Sequence, residues 1–349
     1  MTLVAENEQH RHQIEAGVKG RIKGHKFEEE VSIEINNIIS PDYNISIVSP
    51  NIFEGNPAEI LLEYISKDKG VKIQRAKAYW LGGLATAGAG AEIENDEGKV
   101  ISGSKSDVVI DVIYDNGCKD TIGVSVKSCK SNAQVCLTTC GKFCALLREN
   151  NIPVSETAEI GLKMFCGENG YSPQDGYLPE DTSNIPSDRT ARPERWYWEE
   201  LPCDVQLEWE KIFSEYQDEI TILILQKATA YKTDKFKPDY ILHECKEHED
   251  IDNCTVAVMS IIEFAEYSRL FDTFGLKGKK VQKGKYKGID LAEHQYPHFG
   301  YIQFQPIGNK QNFSELQFNL KSNYYKTFEK LKTKFKLPLG FQFGNSETM

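Results

Sequence analysis

The spacing of apolar positions divides the chain into a helical opening, a β-rich middle and a mixed second half. Over residues 26–39, Phe27, Val31, Ile35, Ile38 and Ile39 recur at three- and four-residue steps, which predicts a helix with one apolar stripe. A second helix is expected over 57–65, after Pro57, while 71–90 fits neither period and ends in the small-residue stretch Leu81 to Gly90. Residues 107–114 (DVVIDVIY) and 121–127 (TIGVSVK) are dense in β-branched side chains and are separated by Asp115-Asn116-Gly117, so they read as a hairpin. Helices are predicted over 133–149, 196–219 and 255–270, and strands over 220–227, 299–305 and 315–321, with long loops across the Gly- and Pro-containing stretch 167–193. No internal repeat is visible.

In a chain of 349 residues that is 40% hydrophobic, such a pattern implies a folded globular protein with one large core or two moderate ones. No apolar run reaches the roughly 18 residues of a membrane span, and residues 1–26 are polar, without a signal-peptide core, so a soluble, cytoplasmic protein is expected. Nine cysteines without a CxxC framework fit reduced thiols.

A net charge of −11 argues at first sight against a nucleic-acid partner. Its distribution reverses that reading, because residues 151–220 carry 16 acidic against 5 basic side chains and so account for the whole excess. Residues 269–288 hold 7 basic and 1 acidic, and residues 319–336 hold 6 and 1. Local fields of this kind steer a polyanion irrespective of the total. Lys279, Lys283 and Lys285, in the glycine-punctuated run 275–288, are the expected contacts to duplex phosphates, and the tail 324–336 is a basic helix face or an ordinary solvated one.

The candidate chemistry lies in the hairpin. Strand alternation places Asp107, Val109 and Asp111 on one face of the first strand and Ser125 and Lys127 on one face of the second, so a carboxylate and an ammonium can meet. Phosphodiester hydrolysis calls for a hard cation on carboxylate oxygen, with an amine beside it to orient or deprotonate the attacking water and to counter developing charge. Asp107 supplies the ligand and Lys127 the amine, while Asp111 is the alternative ligand and a plain surface ion pair the structural alternative.

Residues Ser104-Lys105-Ser106-Asp107-Val108-Val109-Ile110, a turn, and Val124-Ser125-Val126-Lys127-Ser128 resemble the PD-(D/E)xK motif of type II restriction endonucleases, a likeness that extends over about residues 20–150. It implies a three-layer α/β/α fold with a mixed central sheet and a C-terminal recognition extension, magnesium as cofactor, double-stranded DNA as substrate, 5′-phosphate products and a homodimer. Gly24-His25-Lys26-Phe27-Glu28 resembles the start of the family's first helix, which makes Glu28 a metal ligand by that resemblance, or else a first-turn glutamate favoured by the helix dipole. Two positions depart from the motif: Ser106 replaces the proline, and Ser125 stands where the family carries Asp or Glu. A hydroxyl is a weak magnesium ligand, so Glu28 and the Val126 carbonyl are expected to complete the site with Asp107, and Ser125 to hydrogen-bond a water or phosphate oxygen.

The expected organisation is a catalytic core over 1–150 and a recognition and core-completing region over 151–349, as two domains or one continuous domain. The rival reading is a nuclease fold that kept nucleic-acid binding and lost hydrolysis, with Ser125 as its sign. A nucleotide loop at Gly88 and Gly90 lacks a preceding strand and a third glycine. Cys136, Cys140 and Cys144, at helical four-residue steps, read as buried thiols, and His243, Cys245, His248 and Cys254 match no zinc spacing.

Overall fold

The computed structural model describes residues 8–38, 45–49, 51–81, 104–128, 133–187, 194–226, 236–280, 293–307, 315–321 and 324–327. Two sheets carry the fold. The larger has seven strands: β1 (Ser46–Ser49), β2 (Ile52–Gly55), β3 (Ile73–Trp80), β4 (Val108–Tyr114), β5 (Lys119–Ser128), β7 (Pro238–Glu244) and β8 (Cys254–Ser260), in the spatial order β1-β2-β8-β7-β5-β4-β3. It is mixed, because β5 and β7 run parallel while the other neighbours are antiparallel. The smaller sheet, β6 (Gln134–Thr139), β9 (Phe274–Lys280), β10 (Glu293–Phe299), β11 (Ile302–Pro306) and β12 (Glu315–Leu320), has the order β6-β12-β11-β10-β9 and is antiparallel throughout.

Helices α1 (Glu8–Asn37) and α2 (Pro57–Lys69) cover one face of the large sheet. Phe27, Val31 and Ile35 of α1 and Ile60, Leu61 and Ile65 of α2 pack there on Val108, Ile110, Val112, Val124 and Val126. Asn56 caps α2 by accepting from the Ala58 N–H at 2.9 Å, and Gly70, at φ 66°, closes it in the left-handed region. On the opposite face, Ile241, Ala257 and Met259 join a second core built from α3 (Cys140–Glu149), α4 (Glu156–Cys166), α5 (Cys203–Glu215), α6 (Gln217–Gln226), α7 (Ile261–Phe271) and the small sheet. The architecture is therefore α/β in three layers around a mixed central sheet, and strands from beyond residue 150 lie within that sheet. Among the described residues no helix is long and apolar enough to cross a membrane.

Several elements differ from the expectation. Residues 134–139 of the predicted helix 133–149 form β6, paired with β12, and the helix begins only at Cys140, where Thr139 accepts from the Lys142 N–H. The stretch 255–260 is strand β8, buried on both faces, with Val256 and Val258 towards one core and Ala257 and Met259 towards the other. Such a central strand reads as an unbroken apolar run and mimics the start of a helix; Ser260 then caps α7. Conversely, the predicted strand 220–227 is most of helix α6. Its Ile220, Thr221, Leu223, Ile224 and Leu225 are all buried, so no polar face marks the helical period, while Asp218 and Glu219 sit in the first turn, where the dipole favours them.

Candidate active site

Asp107 precedes β4, and its N–H donates to the Val124 carbonyl at 2.9 Å, continuing the antiparallel ladder in which Val108 faces Val124. That register brings the Asp107 side chain over the end of β5. Its Oδ2 accepts from Lys127 Nζ at 3.0 Å, from the Val126 N–H at 2.7 Å and from Ser125 Oγ at 3.2 Å. Lys127 Nζ also donates to the Val126 carbonyl at 3.0 Å. The carboxylate and ammonium side chains are 22% and 20% exposed, so the pair opens to solvent without being freely solvated. Asp111, four residues further along at two repeats of the pleat, is exposed and accepts from Thr121 Oγ1 at 2.7 Å, away from this group.

The loop before Asp107 is tied down. Ser106 Oγ and Ser104 Oγ both donate to the Phe236 carbonyl, and the Ser106 N–H donates to Ser104 Oγ at 3.1 Å. Where a proline would stiffen this backbone through φ, Ser106 does so through a hydrogen bond. Across from it Gly123 leaves the room needed, since a Cβ there would lie 2.2 Å from the Lys237 carbonyl oxygen and 2.4 Å from Ser106 Oγ. In the sequence the only signal for this tie is the alternation Ser104-Lys105-Ser106 immediately before the aspartate.

Glu28 is buried in α1 and accepts from Trp80 Nε1 at 3.2 Å, at the end of β3 beside Val108. Burial first, then the negative charge of Asp107, pushes its carboxyl up to about 7, while the Lys127 ammonium and the Trp80 indole pull it back. Glu28 is thus within electrostatic reach of both Asp107 and Lys127. In the sequence Trp80 lies inside the ambiguous stretch 71–90 and carries no mark of this contact.

A narrow crevice separates the ends of the large sheet from β6 and β12. Ser125, Lys127, Lys105, Val135 and Leu320 line it, and the Lys105 ammonium donates to the Val135 carbonyl. Burial pushes the Cys136 thiol beside it up to about 11, against the opposing pull of Lys105.

Lys279 lies in β9, opposite His294 of β10, so the basic run is strand rather than loop as far as Lys280; Lys283, Lys285 and the Gly88 region lie outside the described residues. Glu199 accepts from the Gln295 N–H at 3.0 Å and pairs with His294 Nδ1 at 2.7 Å, and Arg195 donates to the Tyr296 hydroxyl at 3.0 Å, which pins β10 to the segment 195–199. Cys136 lies in β6 while Cys140 and Cys144 lie in α3, so the three do not share one helical face; all are buried. His243 Nδ1 meets the Tyr324 hydroxyl at 3.1 Å, and His248 Nδ1 meets Glu244 at 2.7 Å. Among the described residues no group of three or more His, Cys, Asp or Glu side chains could hold a metal ion.

No protein-family model matches the sequence, and no curated protein matches it. Among solved structures the chain is similar to restriction endonuclease MspI in complex with its cognate DNA, at 9% identity and a TM-score of 0.40, over 75% of this chain and 78% of that one.

Proposed function

We propose that this protein is a magnesium-dependent endonuclease that hydrolyses phosphodiester bonds of double-stranded DNA at specific sequences. The observation that carries the reading is the convergence on Asp107 Oδ2 of the Lys127 ammonium, the Val126 N–H and the Ser125 hydroxyl at one end of a rigid hairpin. A second, buried carboxyl, Glu28, lies within its electrostatic reach.

The donor set suits magnesium. Asp107, Glu28 and the Val126 carbonyl offer only hard oxygen, the preference of that ion. Two of these groups already share one cation, because the Lys127 ammonium stands 3.0 Å from both Asp107 Oδ2 and the Val126 carbonyl. Burial is the main cause that raises Glu28, and the Asp107 charge that adds to it is the kind a divalent ion offsets. Magnesium at this position would polarise the scissile phosphate and make a neighbouring water more acidic.

The chain's own groups do the rest. Lys127 orients the attacking water and offsets the charge that grows on the phosphate oxygens. Ser125 donates its hydroxyl to a water or phosphate oxygen, the role left to a side chain that cannot ligate as a carboxylate does. The Ser104–Ser106 tie to Phe236 keeps Asp107 in register. Lys279, with Lys283 and Lys285 beyond it, contacts phosphates of the duplex, the region after residue 150 contributes recognition, and a homodimer cuts both strands of a two-fold site. The products carry 5′-phosphate ends.

The test is digestion of a plasmid of known sequence with and without magnesium. Discrete fragments that need the metal and vanish in Asp107→Ala support the reading; intact plasmid under all conditions sinks it. The neutral hydroxyl of Ser125 favours a second reading, a nuclease fold that binds DNA without cutting it, for which the same experiment gives retarded but uncut DNA.

A further inference from the structure

Helix α1, 30 residues long, buries only one side on the large sheet, through Phe27, Val31 and Ile35. At about 100° per residue, the opposite side carries Val18, Ile22, Lys26, Glu29 and Ile33 in one stripe, because eleven residues complete roughly three turns and bring Ile33 into line with Ile22. All five are exposed, and Val18, Ile22 and Ile33 stand 52%, 64% and 49% in solvent. Of the ten large apolar side chains exposed among the described residues, three therefore fall on one line of one helix. Single exposed apolar residues are ordinary, whereas an aligned series marks a contact surface.

The charges on the same helix say what covers it. Residues 19–26 hold four basic side chains and no acidic one, and residues 28–34 hold four acidic and no basic one. We propose that this outer face of α1 is a dimer interface, on which α1 of a second copy lies antiparallel about a two-fold axis between residues 27 and 28. That axis sets Ile22 against the partner's Ile33 and Lys26 against the partner's Glu29, and symmetry makes each contact twice. A basic half then lies along an acidic half throughout the overlap. A parallel pair in register would oppose Lys26 to its own copy and Glu29 to its own copy, so charge fixes the direction. Lys26 reaches Glu30 of its own helix at 3.2 Å with its side chain 72% exposed, and an ammonium with three donors can serve both carboxylates. The interface supplies the surface for the homodimer of the endonuclease reading and rests on that reading only for the purpose of the dimer.

The experiment is sedimentation velocity of the full chain over a concentration series at low salt. Wild type is expected to be a dimer. Lys26→Glu and Glu29→Lys each oppose like charges at both contacts and should weaken it roughly tenfold or more. Mixing these two variants makes both contacts of a heterodimer complementary again, and Lys26→Glu/Glu29→Lys does so within one chain, so both should sediment as wild type does. Ile22→Ser weakens the dimer without altering charge and carries the comparison should a charge reversal lower the melting temperature. A monomeric wild type, a dimer indifferent to all of these variants, or weakening that mixing does not reverse would overturn the inference. Plasmid digestion with magnesium is read separately on the same proteins: a dimer that obeys the charges but cuts nothing overturns the endonuclease reading and leaves the interface standing.

Discussion

The corner of the large sheet that carries Asp107 and the core behind the small sheet are built from different materials and by different routes. The corner is a contiguous hairpin, β4 and β5, whose buried faces are aliphatic and β-branched. The second core is aromatic: Phe213 lies 4.7 Å from Phe299 and 4.8 Å from Phe304, ring centre to ring centre, and within stacking range of Phe143, Trp209 and Phe274. Its sheet pairs β6 with β12 across most of the second half of the chain. The polar chemistry sits on the locally encoded element, and the distant one supplies a wall of its crevice through Val135 and Leu320. A site so divided should be separable by mutation into chemistry and support.

The largest effect should come from the chemical side. Asp107→Ala is expected to bring cleavage to background, and Lys127→Ala to slow it roughly 10²–10⁴-fold, the range for a positioned proton-transfer group. Both proteins should remain folded, since the pair is partly solvated and outside either apolar core. Plasmid cleavage rates beside melting curves check this, and a variant that lost its fold with its activity would break the separation. From the supporting side, Phe213→Ala should cost about 3–5 kcal/mol, as for large aromatic truncations in cores, while the rate per folded molecule at low temperature stays near wild type. Urea denaturation and cleavage at 4 °C, a temperature at which the native fraction is high, read the two quantities apart.

The same contrast explains what the sequence revealed. Asp107 and Lys127 were legible because period-two alternation on two adjacent strands fixes which side chains share a face, and no distant contact can alter that. The aromatic core was illegible for the opposite reason. β6 needs β12 as its partner, and without that partner 133–139 continues the apolar period of the helix after it. β7, the parallel neighbour that makes the large sheet mixed, is reached only after a crossover of more than a hundred residues from β5, and nothing local announces it. Glu28 was reached through resemblance and not by derivation: the helix α1 begins at Glu8, well before the start expected at residues 24–26, so Glu28 is a mid-helix residue and not a first-turn glutamate, and nothing local marks the strand end it will meet.

Gly123→Ala tests how the corner is held against its parallel neighbour β7, with a smaller effect. A methyl group there would meet the Lys237 carbonyl and the Ser106 hydroxyl at the point where β5 pairs with the start of β7. Relief requires the strands or the serine to shift, at about 1–3 kcal/mol for overpacking. Because Ser106 precedes Asp107, cleavage should fall by more than the lost stability accounts for. Activity that simply tracks the folded fraction would show that the serine tie does not position the carboxylate.

The smallest effect falls on Glu28, which reaches the Asp107 corner from α1 through charge and a hydrogen bond to Trp80. Its carboxyl is held up to about 7 in the folded protein against an ordinary value of 4.5, so between these values the native state keeps a proton that the unfolded chain releases. Without divalent ion, stability must therefore fall as pH rises from about 5 to about 7 and remain lower above it. Glu28→Gln has no proton to lose and should flatten that part of the profile. Magnesium should restore wild-type stability above pH 7 more than it restores the variant's, because only the ionised glutamate adds a ligand. Melting temperatures at pH 5, 6, 7 and 8, with and without magnesium, decide the matter: parallel profiles for the two proteins would mean that Glu28 is an ordinary buried helix residue and that Asp107 works without it.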